Sequence, residues 1–280
     1  RSCPRRSDPA SACRADRQDS DANRSIREQM GIEATKENSN DRPEGTPAGW
    51  VTDATAAVRF GIGGLLRFLS HAETLRVFER ACVRACIPVK YSQGFNPHPK
   101  LSLPLPRPVG VVSDDELLVL KLFDAKGIPV EDGPDGARQA WHERMMEALS
   151  GALPSDIAVH SIAIMKSTSS FRPETTRYVF DLDRTGGREG LDALGERIRQ
   201  ILARDSLMVE RVTPERREGR RMDIRPYLRA IELKETRAIV ECGISDAGSV
   251  RVDELMPLLE LTPHDLSGPV RRTDVVWTIT

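Results

Sequence analysis

The chain has 280 residues, of which 39 % are hydrophobic and 30 % are charged, and its formal net charge is −1 at pH 7. This balance is typical of a soluble globular protein and excludes a fibrous chain. No segment approaches the ~20 consecutive apolar residues that span a bilayer, so we expect a cytoplasmic protein with no membrane partner. The near-neutral charge gives no overall attraction to nucleic acid, so any such binding depends on local basic patches.

The five cysteines, at positions 3, 13, 82, 86 and 242, are too scattered for a disulfide framework and fit a reducing compartment. Cys82 and Cys86 lie one helical turn apart, where two thiolates could share a metal. We favour the alternative that both continue the apolar stripe of a helix. A zinc site needs further Cys or His ligands at short spacing, and none follow, so we predict no metal and no cofactor.

Residues 1–55 are rich in Arg, Asp, Ser, Asn, Glu and Pro and poor in aromatic and β-branched residues before Trp50. Such a segment cannot bury enough apolar surface to offset the entropy lost on ordering. We therefore predict a disordered tail over residues 1–55.

The first set of predicted elements begins near Val58. A helix starts at Ser70, which forms a capping box with Glu73, and its apolar periodicity ends at Pro88. The predicted elements are a strand at 57–70 with a turn or bulge at its glycines, a helix at 70–86, an extended segment at 89–103 that is broken by Pro97 and Pro99, a strand at 114–123, a helix at 137–154 and a strand at 157–166.

A second set follows in a similar order. The predicted elements are a strand at 176–184, a helix at 190–204, a strand at 206–212, strand-like runs at 222–233 and 236–244, a helix at 251–261 and a strand at 274–279. Two successive βαββαβ units predict an α+β fold with two tandem ferredoxin-like domains, at 56–168 and 172–280, joined near 167–173. The prediction rests on element order alone, because the two halves share negligible sequence similarity.

Three arginines, Arg76, Arg80 and Arg84, recur every four residues along the first predicted helix. This spacing places three guanidinium groups on one face, where they could bind phosphates in a bidentate manner. The alternative is a solvated face partly neutralised by Glu73 and Glu79.

Basic and aromatic residues follow this helix directly and favour the phosphate interpretation. Pro97 and Pro99 favour extended backbone and Gly94 permits a turn, so polar side chains would be presented at little entropic cost on binding. Such interleaving suits a single-stranded nucleic acid, through neutralised phosphates and stacked bases. The residues concerned are Lys90, Tyr91, Phe95, Asn96, His98 and Lys100.

His71 follows the cap in the first helical turn. A helix amino terminus disfavours a protonated imidazole, so we expect a neutral ring that could act as a base. With Ser70, Tyr91 and His98 in the same short window, His71 is the candidate catalytic residue of an acid–base site. A structural role at the helix start is the favoured alternative.

A second basic run lies in the second half of the chain. A solvated loop is the first interpretation of this run, and a second basic patch that faces the first, with Arg221 and Arg225 as candidate binding residues, is the alternative. Its arginines are Arg216, Arg217, Arg220, Arg221 and Arg225.

Residues 64–116 closely resemble the opening of the radical-SAM-linked protein family. The match is looser in the second half, where "MDIRPYL" and "RRT" are similar to family features. The sequence departs from the family pattern at Glu73, where the family shows Asp, and both carboxylates suit a helix amino terminus. The pattern falls on Arg67, Ser70, His71, Arg76, Arg80, Tyr91, Ser92, Gly94, Phe95, Asn96, Pro97, His98, Pro99, Gly110, Ser113 and Glu116.

The resemblance implies an accessory role beside a separate radical-SAM enzyme, with RNA as the other expected partner. The chain is not itself such an enzyme, because Val89 stands where the third cysteine of a cluster-binding Cys-x-x-x-Cys-x-x-Cys motif would be. We predict a module without catalytic activity that binds RNA or presents a substrate. Its predicted binding residues are Arg67, Ser70, His71, Arg76, Arg80, Arg84, Tyr91, Asn96, His98, Lys100, Arg221 and Arg225.

Two alternatives remain at this point. One is an RNA-processing enzyme that uses His71, as in the CRISPR repeat-processing endoribonucleases with tandem ferredoxin-like folds, whose glycine-rich loop has no counterpart in residues 261–274. The other is a protein–protein adaptor in which the proline-rich segment docks the radical-SAM enzyme.

Overall fold

The structure of the chain is a computed structural model that describes residues 50–131, 136–183, 187–213 and 216–279. The predicted disordered tail lies outside the described residues as far as position 49. Residues 50–55, which the prediction assigned to the tail, form the beginning of the first strand. None of the described helices is long and apolar enough to cross a membrane.

Strands predominate over helices in the described chain. The strands are β1 (Trp50–Ile62), β2 (Leu101–Ser102), β3 (Val112–Pro129), β4 (Ile157–Lys166), β5 (Phe171–Asp181), β6 (Met208–Thr213), β7 (Arg216–Asp223), β8 (Leu228–Lys234), β9 (Arg237–Ser245), β10 (Gly248–Ser249) and β11 (Arg271–Ile279). The α-helices are α1 (His71–Arg84), α2 (Ala137–Ala152), α3 (Gly187–Leu202) and α4 (Val252–Leu258). Short 3-10 helices cover Gly64–Phe68, Arg225–Tyr227 and Pro263–Asp265.

One mixed sheet of nine strands organises the fold, in the order β10-β9-β5-β11-β3-β1-β4, with β2 beside β3 and β8 beside β9. β11 joins β3 in parallel through two residue pairs, Arg271 with Val112 and Arg272 with Ser113. The predicted fold of two tandem ferredoxin-like domains is wrong, because strands from both predicted ranges belong to this single sheet. Local periodicity predicts strands but does not predict which strands pair, and here β11 uses free backbone groups at the start of the 18-residue β3.

The second half also contains a hairpin that the prediction missed. The charged run before Met222, interpreted from sequence as a loop, forms β7 and pairs with β6 in a separate two-stranded sheet. The predicted strand 222–233 is divided, because Pro226 lies in a 3-10 turn and has no backbone N–H to donate to a ladder. The ranges 56–168 and 172–280 stay a prediction as domain boundaries.

Two hydrophobic clusters hold the helices against the sheet. In the first, Phe78 of α1 packs edge-on against Phe60 of β1, with ring centroids 4.6 Å apart, and Leu149 of α2 is fully buried beside them. In the second, α3 and α4 pack on β5 and β9. Trp277 of β11 packs with Ala57 of β1. Successive side chains of a strand point to opposite faces, so Ala57 lies on the other face of the sheet from its neighbours in β1 that pack against α1. The second half therefore covers part of the sheet face opposite α1.

Candidate functional site

The amino terminus of α1 is closed by the capping box that the sequence predicts. The Ser70 N–H donates to Glu73 Oε2 at 2.8 Å, and the Glu73 N–H donates to Ser70 Oγ at 3.3 Å. The hydrogen bonds from the Ser70 side chain and backbone lower the pKa of Glu73. Ser70 is therefore explained as the cap of α1, and its contacts do not require a ligand.

His71 lies beside a small cavity between α1 and β3. Its Nδ1 atom is buried and has no hydrogen-bond partner within the described part of the chain. Thr74, Arg107 and Glu116 supply the other polar walls of the cavity, whose volume is about 10 Å³. A space of this size admits about one water molecule.

Arg107, which the sequence analysis did not single out, fixes the segment that precedes α1. Its Nη1 donates to the carbonyl oxygens of Arg67 at 2.6 Å and Val111 at 2.7 Å, and its Nη2 donates to the carbonyl of Leu69 at 3.1 Å. Burial lowers the pKa of Arg107, while the carboxylate of Glu116 acts in the opposite direction. A guanidinium that satisfies several carbonyls at a 3-10 helix end is a rigid support for that helix.

The buried pair of Glu116 and Arg272 joins the two halves of the sheet. Arg272 is 0 % exposed, and its Nε donates to Glu116 Oε1 at 3.0 Å, while Nη1 donates to the Pro106 carbonyl at 3.3 Å. Burial alone would lower the pKa of Arg272, but the charge of Glu116 and the neighbouring Tyr178 raise it. The Ser113 hydroxyl donates to the Arg272 carbonyl at 3.3 Å.

The two acidic residues before Glu116 also pair with arginines. Asp114 pairs with Arg271 at 2.7 Å, and Asp115 pairs with Arg59 and accepts a hydrogen bond from the Val275 N–H at 3.2 Å. Ser113 and Glu116, two of the three residues in the motif Gly-x-x-Ser-x-x-Glu, are thus explained by the joining of β3 to β11. The only sequence signal for these partners is the "RRT" run that the family resemblance noted.

The arginines of α1 differ in their contacts. Arg84 is exposed and its Nη2 donates to the Ala152 carbonyl at the end of α2, at 2.6 Å. Arg76 and Arg80 are exposed, and in the described residues neither makes a hydrogen bond or a salt bridge, although Arg76 is close enough to Glu73 to lower its pKa. Two of the three predicted phosphate ligands on this face therefore have uncommitted donors.

Residues 91–99 form a loop that leaves the edge of the sheet. Val89 pairs with Leu122 of β3, and Leu101 pairs with Leu120. The chain therefore passes through twelve residues from Val89 to Leu101 while its partner on β3 changes by only two residues. The strand beside β3 is therefore interrupted, and its missing middle is replaced by the loop. We call residues 91–99 the extruded loop.

The extruded loop is closed at its base by several contacts. Tyr91 forms a backbone bridge with Pro99, the Ser92 N–H donates to the His98 carbonyl at 2.8 Å, and the His98 N–H donates to Ser92 Oγ at 2.9 Å. Gly94 has φ of +134°, which favours glycine. The interruption that Pro97, Pro99 and Gly94 predict within the extended segment 89–103 is present, whereas the point at which the strand resumes depends on a partner, β3, that the local sequence does not specify.

The structure presents the predicted loop residues outward, with the exception of Tyr91. Asn96, His98 and Lys100 are exposed, Tyr91 is half-buried at the base, and Phe95 at the apex is fully exposed. Arg67, another predicted residue, is half-buried, with its guanidinium carbon 4.3 Å from the centroid of the Phe68 ring.

The basic residues of the second half have a different environment. Arg225 donates from Nε to the Arg204 carbonyl at 2.9 Å and from Nη2 to the Leu202 carbonyl at 3.0 Å, at the end of α3. Arg221 is exposed on β7, opposite Glu210. Within the described residues neither arginine makes a hydrogen bond or ion pair with α1 or the extruded loop.

The two helix-adjacent cysteines do not share an environment. α1 ends at Arg84, and Cys86 follows in a left-handed conformation with φ of +52° and is exposed. Cys82 is buried in the core, where burial raises the pKa of its thiol to about 12. The prediction that both belong to one apolar helix face is wrong for Cys86. Among the described residues, no group of three or more His, Cys, Asp or Glu side chains is placed to hold a metal ion.

Comparison with known proteins places the motif residues in a family. Residues 56–252 match the family model DUF2344, which is described as an uncharacterised protein conserved in bacteria. The chain belongs to this family. A search of curated proteins finds no match. The DUF2344 match includes α1, the extruded loop and the acidic start of β3, and the family description names no ligand and no reaction.

Proposed function

We propose that this DUF2344 protein is a non-catalytic RNA-binding module that acts with a separate radical-SAM enzyme. The observation that carries the RNA-binding part is the pair of exposed arginines on α1, Arg76 and Arg80, whose donors have no protein partner in the described chain. The radical-SAM partner is supported by the sequence resemblance alone.

Charge at this face is local, since the whole chain has a net charge of −1. Guanidinium groups at i and i+4 project from the same side of a helix, at a separation suited to successive phosphates. Lys100 and His98 belong to the segment that follows this helix in the chain, and both are exposed. Phosphate contacts of this kind supply affinity and position without reading sequence.

The cavity beside His71 gives little support to an RNA-processing enzyme. At about 10 Å³ it admits one water molecule and no nucleotide. Two of the polar side chains that line it already have protein partners, because Arg107 donates to backbone carbonyls and Glu116 accepts from Arg272. Binding without catalysis is therefore the function that this geometry favours.

Fluorescence anisotropy with a labelled RNA hairpin that has a single-stranded loop tests the proposal. We expect affinity that falls steeply with salt, and a smaller salt slope when Arg76 and Arg80 are both replaced by alanine, because fewer counterions are released. Arg229→Ala, which removes an exposed arginine from β8, is the matched control and should leave the slope unchanged. Absence of binding at low salt, or equal slopes for all three proteins, would contradict the proposal.

A second candidate, docking to the radical-SAM enzyme as an adaptor, is favoured by an exposed apolar surface. Leu65 and Phe68 are 76 % and 53 % exposed, and their i, i+3 spacing aligns them on one side of the 3-10 helix that Arg107 supports. Val109 is 61 % exposed, and the next residue, Gly110, lies close to the Phe68 ring. Rigid apolar groups of this kind suit a protein contact.

Co-purification with a co-expressed radical-SAM enzyme, after nuclease treatment and in high salt, tests this second candidate. We expect Leu65→Ser and Phe68→Ser to abolish co-purification while Arg76→Ala and Arg80→Ala leave it intact. Co-purification that is lost on nuclease treatment alone would show that the partner is held through RNA, and co-purification that persists in Leu65→Ser and Phe68→Ser would contradict this candidate.

A further inference from the structure

The extruded loop holds an aromatic ring in a position that protein contacts do not explain. Phe95 is fully exposed, at the apex of a loop whose two ends are joined by the contacts of Ser92 with His98 and of Tyr91 with Pro99. Single exposed apolar residues are common on protein surfaces. This one differs because the backbone beneath it is braced by backbone hydrogen bonds and two prolines, so that the ring is displayed at a defined place.

The surroundings of Phe95 are polar and basic, and this restricts the kind of ligand. Asn96 and His98 are exposed beside it, and Lys100 follows at the base of the loop. An amide and an imidazole can exchange hydrogen bonds with base edges, while a lysine neutralises a phosphate. An aromatic face with these neighbours has the composition of a nucleobase site.

Paired bases cannot use such a ring. In an A-form duplex the base faces are covered by stacking, and the deep major groove does not admit side chains, whereas bases in loops, bulges and single strands can be splayed out and stacked on an aromatic residue. Resting on the RNA-binding function proposed above, we infer that Phe95 stacks on an unpaired nucleobase and makes single-stranded or looped RNA the substrate class of this protein. The backbone bridge of Tyr91 with Pro99 closes the loop that carries this site.

The test compares two labelled probes on the full chain, a short unstructured oligouridine and a blunt RNA duplex of matched length. We expect Phe95→Ala to weaken oligouridine binding about tenfold, equivalent to ~1.4 kcal/mol, and to leave duplex binding unchanged. Phe95→Tyr keeps an aromatic face and should retain affinity, whereas Phe95→Leu, which is apolar without a ring, should behave like Phe95→Ala. The loss in Phe95→Leu separates stacking from simple apolar contact.

A direct readout of stacking comes from oligouridine with one 2-aminopurine, whose fluorescence is quenched when it stacks on a ring. We expect quenching with the wild type and Phe95→Tyr and none with Phe95→Ala. If both probes bind and Phe95→Ala changes neither affinity nor quenching, the stacking inference is overturned while RNA binding stands. If neither probe binds at low salt, the proposed function itself fails. Met208→Ala, at another exposed apolar residue, on β6, is the control and should change neither readout.

Discussion

Arginines of two regions of this molecule look alike in sequence and differ in what their donors contact. On α1, Arg76 and Arg80 are exposed and uncommitted, whereas in the second half Arg225 is bound to carbonyls at the end of α3 and Arg272 is buried against Glu116. A guanidinium whose donors are occupied by the protein contributes to stability and has little to offer a ligand. The number of free donors, and not the number of arginines, therefore indicates where a phosphate can bind.

The largest test of this contrast is Arg272→Met. We expect a loss of about 3–5 kcal/mol in the free energy of unfolding, because Glu116 would be left as a buried charge without its partner. Urea denaturation measures the change. The double variant Arg272→Met with Glu116→Leu should recover much of the loss, and a double variant as unstable as the single one would mean that the pair is not the source.

Arg225→Ala is the next test, and it separates stability from binding. We expect a loss of about 1–3 kcal/mol, since the carbonyls of Leu202 and Arg204 would lose a charged donor. RNA affinity, measured by anisotropy at fixed salt, should not change. Arg80→Ala should show the reverse, with stability within ~0.5 kcal/mol of the wild type. A variant that lost both properties would remove the distinction between the two regions.

The capping box and the existence of the helices could be predicted from the sequence, because they depend on residues a few positions apart. The end of α1 could not, since Cys86 adopts a left-handed conformation where the apolar spacing continues. The pairing of Glu116 with Arg272 joins residues 156 positions apart, and no local pattern specifies it. The extruded loop was half-predicted, because its prolines and glycine mark a rigid turn but only β3 determines where the strand resumes.

Ser70→Ala tests the one part of the candidate site that both sequence and structure explain as structural. We expect a loss of about 1 kcal/mol in the free energy of unfolding, the usual effect of removing a helix cap. Ser70→Asp, which also caps, should restore stability. If Ser70→Asp is stable but binds RNA less well than Ser70→Ala, the cap position lies within reach of the phosphates.

The smallest expected effect is a pH dependence at Glu254, which occupies the donors of Arg211 in the second half, with Nε to Oε1 at 2.6 Å and Nη2 to Oε2 at 2.8 Å. Burial alone would raise the pKa of Glu254, but the hydrogen bonds from Arg211 and from the Arg251 N–H outweigh it, and the pKa is lowered from 4.5. A carboxylate with a lowered pKa in the folded state adds stability above its unfolded pKa, and this stability is lost as pH falls through the folded pKa.

The variant Glu254→Gln keeps the shape of the side chain and removes its charge, so it should be less stable than the wild type at pH 7. The difference, followed by urea denaturation, should shrink below about pH 4 as Glu254 takes up a proton. A difference that stays constant down to acid pH would mean that the charge of Glu254 adds nothing to the stability that its contact with Arg211 provides.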